Sequence, residues 1–183
     1  QIVLSSDRPP KDISTLEDEH VVLAGFAARD GLSDGIHIPL RTHALAVTDG
    51  QQKICIISND LMELSPSLAG EIRTEISRRS GLPYDNILLH CIHTHSAPRF
   101  GGASAQPGGT NATYKERAVE AIIANAVQAI SDEKSYRDFS LEIAKGTTDI
   151  NRNRCEADGP VDHALYAARL LDRKGKPICA FFN

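Results

Sequence analysis

The chain lacks several features that would assign it to common classes of protein. It has no tryptophan, one methionine and 5% aromatic residues, and its four cysteines, Cys55, Cys91, Cys155 and Cys179, show no CxxC spacing. Such spacing marks cysteine-based zinc and redox sites, so we expect ordinary buried thiols instead. No apolar run approaches the roughly 20 residues that cross a bilayer, which predicts a soluble chain.

A strong charge of either sign is also missing. Lys and Arg total 20 against 24 Asp and Glu, which gives a net charge of -4. The sequence has no long run of one sign and no interleaving of basic and aromatic residues, so nucleic acid is not an expected partner. With 183 residues and 41% hydrophobic content, the chain can bury one substantial core, and one domain is the expected count.

The amino-terminal residues carry little apolar pattern. The sequence begins at Gln1 without an initiator methionine or a visible signal pattern. We expect a segment upstream, and a processed signal sequence there would give a secreted, periplasmic or cell-surface protein. Residues 1–19 are polar and contain Pro9-Pro10 and a mixed charge cluster, which predicts an extended lead-in with little core. The fold is therefore expected to start near His20.

Strand and helix patterns alternate beyond that point. A helix is predicted to begin after Ser65 and end at Gly81, and a second one carries an apolar face from Val119 to Ile130. Apolar and β-branched runs predict strands at residues 20–28, 42–48, 53–58, 86–92, 139–146, 164–171 and 177–182. This order favours an α/β fold with a mixed β-sheet flanked by helices, in which residues 86–92 form a central strand buried on both faces.

His93 and His95 directly follow this nearly all-apolar strand. Residues i and i+2 of a strand point to one face, so both imidazoles converge on one pocket if the extended geometry persists. Neutral imidazole binds zinc, and a catalytic zinc usually has three protein ligands and an open position for water. Two histidines leave such a site incomplete, and two surface histidines past a strand would give the same pattern. His90 could be a third member of the site, but because it lies within an apolar run we expect it to be a hydrogen-bonded core residue.

Two further residues near this pair are open to two interpretations each, and a glycine-rich segment follows it. His37 either lines the same pocket or bonds a backbone carbonyl in its loop. Asp60 either orients His95 or His37 through a carboxylate–imidazole contact or caps a helix. The pairs Gly101-Gly102 and Gly108-Gly109 predict a mobile loop over the pocket, and they lack the strand-to-helix context of a phosphate-binding loop.

The stretch ILLHCIHTHSAP, residues 87–98, resembles the motif of the neutral, non-lysosomal ceramidase family, in which a buried strand ends in Thr-His-Thr-His-Ser-Gly-Pro. Ile92 and Ala97 depart from that motif. Other similar segments are Gly35-Ile36-His37, Leu40 to Ala44, Ser58 to Leu61, Ile150 to Arg154 and Leu170 to Asn183. The resemblance covers about residues 23–183. It implies that residues 20–183 are the N-terminal part of a larger catalytic domain, a fragment truncated at its C-terminal end.

The resemblance also implies roles for particular residues. By match to the family motif, His93 is a zinc ligand and His95 lies beside the reacting carbonyl. Arg154 matches a catalytic arginine that would stabilise developing negative charge. The remaining zinc ligands of the family would follow beyond Asn183. Zinc is the only cofactor implied, the partner is a ceramide-like lipid amide, and contact with a membrane surface is expected, whereas the oligomeric state is not specified.

The implied activity is zinc-dependent hydrolysis of a linear amide, in which a metal-activated water cleaves the N-acyl bond of ceramide or a related lipid amide. One alternative is an amidohydrolase-type barrel, where an HxH pair also ends a strand and binds metal. That pair normally ends the first barrel strand, whereas here at least three strands and a helix precede it. Another alternative is a noncatalytic binding module that keeps the fold without a complete metal site.

Overall fold

The computed structural model describes residues 2–5, 9–16, 20–26, 29, 31–100 and 112–183. Two α-helices lie in these ranges, α1 at Pro66–Ser80 and α2 at Ala112–Ser131. The β-strands are β1 at Val3–Ser5, β2 at Lys11–Asp12, β3 at Arg41–Thr48, β4 at Lys53–Asn59, β5 at Ile87–Cys91, β6 at Tyr136–Asp138, β7 at Ser140–Thr147, β8 at Ala164–Leu171 and β9 at Pro177–Phe182. The expected α/β class with mixed sheets and flanking helices is confirmed.

The first six strands form one mixed sheet in the order β5-β4-β3-β1-β6, with β2 paired to β3 off this path. Strands β3 and β4 are an antiparallel hairpin around Asp49 and Gly50, as the sequence predicts. Strand β5 returns parallel to β4 after α1, so the carboxyl ends of β4 and β5 meet at one edge. In open α/β sheets this edge is where ligands bind, and the HxH pair follows it directly.

Both helices cover one face of this sheet. Alternate strand residues such as Ala46, Cys55 and Ile57 are fully buried beneath Ile72 of α1 and Ile122 of α2. The period of two along the strands and of about four along the helices brings these apolar residues together in one core. Burial raises the pKa of the Cys55 thiol to about 12, so this cysteine is an inert core residue.

Helix α1 begins and ends where its sequence signals indicate. The Ser65 hydroxyl accepts a hydrogen bond from the Leu68 amide at 3.2 Å, which satisfies one of the free amides of the first turn. Gly81 closes the helix with φ +74°, a left-handed conformation that glycine adopts without a steric penalty. Strand β5 then starts six residues later, so α1 delivers the chain back to the edge of β4.

The last three strands form a separate antiparallel sheet in the order β7-β8-β9. Residues of β9 and of the helix-free face of the first sheet line a common cavity of about 390 Å³. An ion pair between Arg173, in the β8–β9 turn, and Asp138, at the end of β6, also joins the two sheets. Most of β7 is exposed, including Ile143 at 73%.

Two details near the amino terminus differ from the expectations drawn from sequence. Residues 3–5 and 11–12, predicted as part of an extended lead-in with little core, are strands of the first sheet, and Leu4 and Ile13 are buried there. Residues 20–26 form no strand and make only a bridge from Leu23 to Pro98. The short strands were missed because Leu4 and Ile13 stand among polar residues, so the local sequence gives no strand pattern. Their burial comes from contacts with other parts of the fold.

Strand β5 differs most from its expected environment. Within the described ranges it is an edge strand that pairs with β4 alone, and its outer face exposes Leu88 at 49%. His90 is exposed on the same face, so its assignment as a core histidine is wrong. An apolar run indicates that both faces of a strand can be buried, but it does not indicate which part of the protein packs on the second face.

No helix in the described part of the chain has the length and hydropathy that a membrane span requires. The two sheets also exclude the barrel alternative for these residues, because β4 and β5 are the one parallel pair described. The Gly101-Gly102 and Gly108-Gly109 pairs, for which a loop over the pocket was predicted, lie outside the described residues.

Candidate active site

The chain leaves β5 in a defined path that places His93. The amide of Ile92 donates to the carbonyl of Asn59 at 3.1 Å, and the amide of His93 donates to that of Leu61 at 3.0 Å. Pairing with the segment after β4 thus continues beyond the last residue of β5. His93 itself has φ +62°, in the left-handed region that only a few per cent of non-glycine residues occupy. The extended strand therefore ends before the HxH pair.

The imidazole of His93 is oriented by a backbone carbonyl. Its Nδ1 lies 3.0 Å from the carbonyl oxygen of Met62. A carbonyl only accepts hydrogen bonds, so this contact requires the proton on Nδ1 and leaves the lone pair on Nε2 free. Metal-binding histidines in proteins commonly donate the other ring N–H to a carbonyl or carboxylate in this way. His93 is exposed, so Nε2 is accessible to an ion.

The rings of His93 and His95 lie together, with centroids 5.1 Å apart and planes at 69°. The prediction that the two imidazoles lie close together is confirmed. Its stated reason is wrong, because the left-handed turn at His93 replaces the strand alternation that was expected to align them. In the described part of the chain, neither ring nitrogen of His95 has a hydrogen-bond partner among the contacts observed.

A segment that sequence reasoning passed over also borders the pair. Residues 22–24 run antiparallel to residues 97–99, with hydrogen bonds of 2.8 Å from Ala24 to Ala97 and 2.9 Å from Arg99 to Val22. This pairing brings the ring of Phe26 to 4.7 Å from that of His95. Gly25-Phe26 was the sequence signal that could have indicated this contact. Sequence analysis instead treated the pair as part of the predicted strand at 20–28.

A cavity of about 490 Å³ lies beside the HxH segment. Thr94 and Ser96 line it, whereas His93 and His95 do not. Its other lining residues are mainly apolar, among them Leu23, Ile36, Ile38, Pro39 and Ile92. His37 and Asp60 both line this cavity. The Asp60 carboxylate accepts a hydrogen bond from the Arg41 amide at 2.9 Å and so fastens the start of β3, whereas Ser65 caps the helix that follows. Among the described contacts, Asp60 has none with an imidazole.

Arg154 lies on the loop between β7 and β8 and is exposed. Asn153 shapes this loop, because its Oδ1 accepts from the amides of Cys155 and Glu156 and its Nδ2 donates to the carbonyl of Pro160. Among the described contacts and cavities, Arg154 shares none with His93 or His95. Its approach to the same cleft, and with it the catalytic role, stays a prediction.

The site offers a limited set of metal ligands and nucleophiles. In the ranges that the structure describes, no three His, Cys, Asp or Glu side chains are grouped as a metal centre would need. His93 fits a single ligand position, with Nε2 free. The nearby thiol of Cys91 is protonated at neutral pH, because burial, with Glu63 adding to it, raises its pKa to about 11. Burial therefore disfavours Cys91 as a thiolate nucleophile at this strand end.

Known proteins resemble this chain in sequence and in fold. Neutral ceramidase A of Dictyostelium discoideum is 24% identical over 177 residues, which cover 86% of this chain and 25% of that protein. The crystal structure of the neutral ceramidase from Pseudomonas aeruginosa matches with a TM-score of 0.70 at 16% identity, over 99% of this chain and 31% of that one. A ceramidase complexed with C2 matches with a TM-score of 0.71 at 18% identity, over 99% and 30%.

The solved structures are too distant in sequence to show more than the fold. The chain spans between a quarter and a third of the length of these relatives. The sequence profile described as "Neutral/alkaline non-lysosomal ceramidase, N-terminal" matches residues 11–158, which is most of the chain. The resemblance seen in the HxH segment is thereby confirmed, and the chain belongs to the neutral/alkaline non-lysosomal ceramidase family.

Proposed function

We propose that the protein is a zinc-dependent amide hydrolase that cleaves the N-acyl bond of ceramide or a related lipid amide. Membership of the ceramidase family supports hydrolase activity in general. The observation that carries the finer proposal is the hydrogen bond from His93 Nδ1 to the carbonyl of Met62, which leaves Nε2 free beside the ring of His95. Zinc at such a site polarises an amide carbonyl and lowers the pKa of a water toward about 7.

The chain's own residues would divide the remaining work. His93 holds one ligand position with a fixed ring orientation. His95 has no described hydrogen-bond partner on either ring nitrogen, so it can accept a proton from the attacking water and return it to the leaving amine. The guanidinium of Arg154 would donate charged hydrogen bonds to the oxygen on which negative charge develops. Metal ligands in addition to His93 would come from other parts of the full-length protein.

The test compares two exposed histidines of the same segment in the full-length protein. The His93→Asn variant keeps a donor close to the position of Nδ1, suits the left-handed backbone and removes the Nε2 lone pair. We expect it to lose bound zinc and more than about a hundredfold in kcat on N-acylsphingosine in mixed micelles, a larger loss than outer-shell changes give. The matched control, His90→Asn, changes a ring that lies on the exposed face of β5.

The zinc content, from elemental analysis, and the turnover of the lipid amide together test the proposed function. Stoichiometric zinc retained in His93→Asn would remove His93 from the metal site. A wild-type protein that folds and binds zinc but hydrolyses no lipid amide would instead contradict the substrate. A full-length protein that binds the lipid amide but neither binds zinc nor hydrolyses the amide would match the noncatalytic binding module.

A further inference from the structure

His95 and His93 are held in different ways. The ring of His93 is oriented by its hydrogen bond to Met62, whereas the ring of His95 has no such bond among the described contacts. A histidine that transfers a proton needs a defined orientation, usually supplied by a hydrogen bond to its second nitrogen. For His95 the orientation has to come from packing. The described packing partners besides His93 are Gly25 and Phe26.

Gly25 lets the backbone lie directly against the imidazole. A Cβ at this position would be 2.2 Å from Cγ and 2.3 Å from Nδ1 of His95, far inside van der Waals contact. The residue also has φ +76°, where a side chain is strained whatever the space around it. Two independent constraints therefore require glycine here, and one of them is the ring of His95 itself.

Phe26 packs against another side of the His95 ring and has a strained backbone conformation. Its φ is +51°, which is unusual for an aromatic residue, and its side chain is 61% exposed. Burial in the core thus does not explain the conformation. What the side chain contacts is His95, edge to face, with centroids 4.7 Å apart and planes at 78°. Strained backbone that points a side chain at one partner is typical of functional sites.

Arg29 connects the segment of Ala24 and Phe26 to the segment of His95. Its Nη1 donates to the carbonyl of His95 at 2.7 Å and approaches that of Ala24 at 3.4 Å. Its guanidinium carbon is 5.0 Å from the centroid of the Phe26 ring, a cation–π contact, and its amide closes a turn onto the Phe26 carbonyl at 2.8 Å. One side chain therefore fixes the backbone of His95 and the ring that packs against it.

We propose that Phe26, supported by Gly25 and Arg29, is a positioning residue that holds the imidazole of His95 in its working orientation. The inference rests on the proposed role of His95 in amide hydrolysis. Phe26 acts through His95, leaving both ring nitrogens for the reaction. Because positioning affects the chemical step more than substrate binding, its loss lowers kcat and spares KM.

The kinetic test uses the full-length protein with three substitutions. Phe26→Leu keeps an apolar side chain and removes the ring, Phe26→Tyr keeps the ring, and Leu32→Ala changes an apolar residue of equal exposure, 61%, outside this cluster. We expect Phe26→Leu to lose roughly ten- to a hundredfold in kcat, with KM within about twofold, because misplacement of a catalytic group costs up to that much. Phe26→Tyr and Leu32→Ala should keep wild-type kcat.

A second measurement tests the orientation of His95 without relying on turnover. Diethyl pyrocarbonate labels accessible imidazoles, and the tryptic peptide of residues 80–99 carries His90, His93 and His95 together. In Phe26→Leu, labelling of the half-buried His95 should rise relative to that of the exposed His90, and Phe26→Tyr should match the wild type. Unchanged labelling of His95 in Phe26→Leu, or an equal loss of kcat in Leu32→Ala, overturns the proposal.

The two assays also separate this inference from the proposed function. If the wild-type protein hydrolyses no lipid amide, the proposed function fails, and the labelling contrast still decides whether Phe26 holds His95. If the wild type is active and Phe26→Leu behaves as the wild type in both assays, the proposed function stands and the positioning role is refuted.

Discussion

The β7–β8 loop carries two arginines, Arg152 and Arg154, which are separated by one residue. Their side chains differ in their hydrogen bonds. Arg152 donates from Nη1 to two carbonyls of its own loop, those of Asp149 at 2.7 Å and Asn151 at 2.9 Å. The side chain of Arg154 is exposed and has no partner among the described contacts. Arg152 therefore holds the loop, which leaves Arg154 as the arginine to which the proposed catalytic role belongs.

This difference predicts which arginine matters for turnover. We expect Arg154→Lys to lower kcat on the lipid amide by about 10² to 10³-fold with an unchanged melting temperature, because lysine cannot reproduce a two-point donor to a developing oxyanion. Arg152→Lys, the matched control, should lower kcat far less. The reverse order of effects in steady-state kinetics on the full-length protein would show that the catalytic assignment belongs to Arg152.

At the same scale, sequence patterns predicted that the two rings of the HxH pair lie close together, but not the backbone geometry that brings them there. The spacing of His93 and His95 placed both rings at one site, and their 5.1 Å separation agrees. The φ of +62° at His93 could not be predicted, because non-glycine residues rarely adopt it and no local sequence signal demands it. The contacts of Phe26 were missed for a related reason, since they depend on pairing between segments 70 residues apart in sequence.

At the scale of elements, a buried polar network joins β3, β4, β5 and α2. The Thr42 hydroxyl donates to Asn59 Oδ1 at 2.7 Å, and Asn59 Nδ2 donates to the carbonyl of His90 at 3.0 Å. From α2, Asn125 Nδ2 donates to the carbonyl of Thr42 at 2.9 Å. Asn59 is fully buried at the carboxyl end of β4, next to the residues that carry His93. The network thus anchors the edge on which the site is built.

Removal of the Asn59 side-chain amide, which bonds both Thr42 and His90, should destabilise the fold. We expect Asn59→Ala to lower the free energy of unfolding by about 2–4 kcal/mol, because it leaves the buried Thr42 hydroxyl and the partly buried His90 carbonyl without their partner. His90→Ala keeps the backbone carbonyl and removes only an exposed ring, so its effect should stay within about 0.5 kcal/mol. Urea unfolding followed by circular dichroism measures both. A loss below about 1 kcal/mol for Asn59→Ala would contradict the importance of the network.

Elements with local signals were predicted well from sequence, and elements with remote partners were not. The Ser65 cap and Gly81 bounded α1, and the turn of residues 172–175 separated β8 from β9. Strand β5 was identified, yet its expected burial on both faces depended on a cover that local sequence cannot specify. Leu88 at 49% and Ile92 at 51% exposure show the uncovered face. Burial is a property of the assembled layers, which an apolar run alone does not determine.

At the scale of the whole molecule, helices cover one face of the six-stranded sheet and the β7–β9 sheet stands near the other. Several large apolar side chains remain exposed on these outer surfaces, among them Leu141, Ile143, Ile150 and Phe182. The chain corresponds to a quarter to a third of the relatives it matches. The domain assignment for residues 20–183, part of a larger catalytic domain, stays a proposal that these surfaces support.

The last prediction concerns the metal affinity of the 183-residue chain by itself. A catalytic zinc usually needs three protein ligands, and the described residues offer His93, with the ring of His95 beside it, and no group of three. We therefore expect the isolated chain to bind zinc at least about a hundredfold more weakly than the full-length protein, since changes outside the first shell alone cost up to that factor. Competition titration with a chromogenic chelator measures both affinities, with His93→Asn in each as the control. The substitution should remove tight binding from the full-length protein and change little in the short chain. Equal, stoichiometric binding by both proteins would place the remaining ligands within these 183 residues.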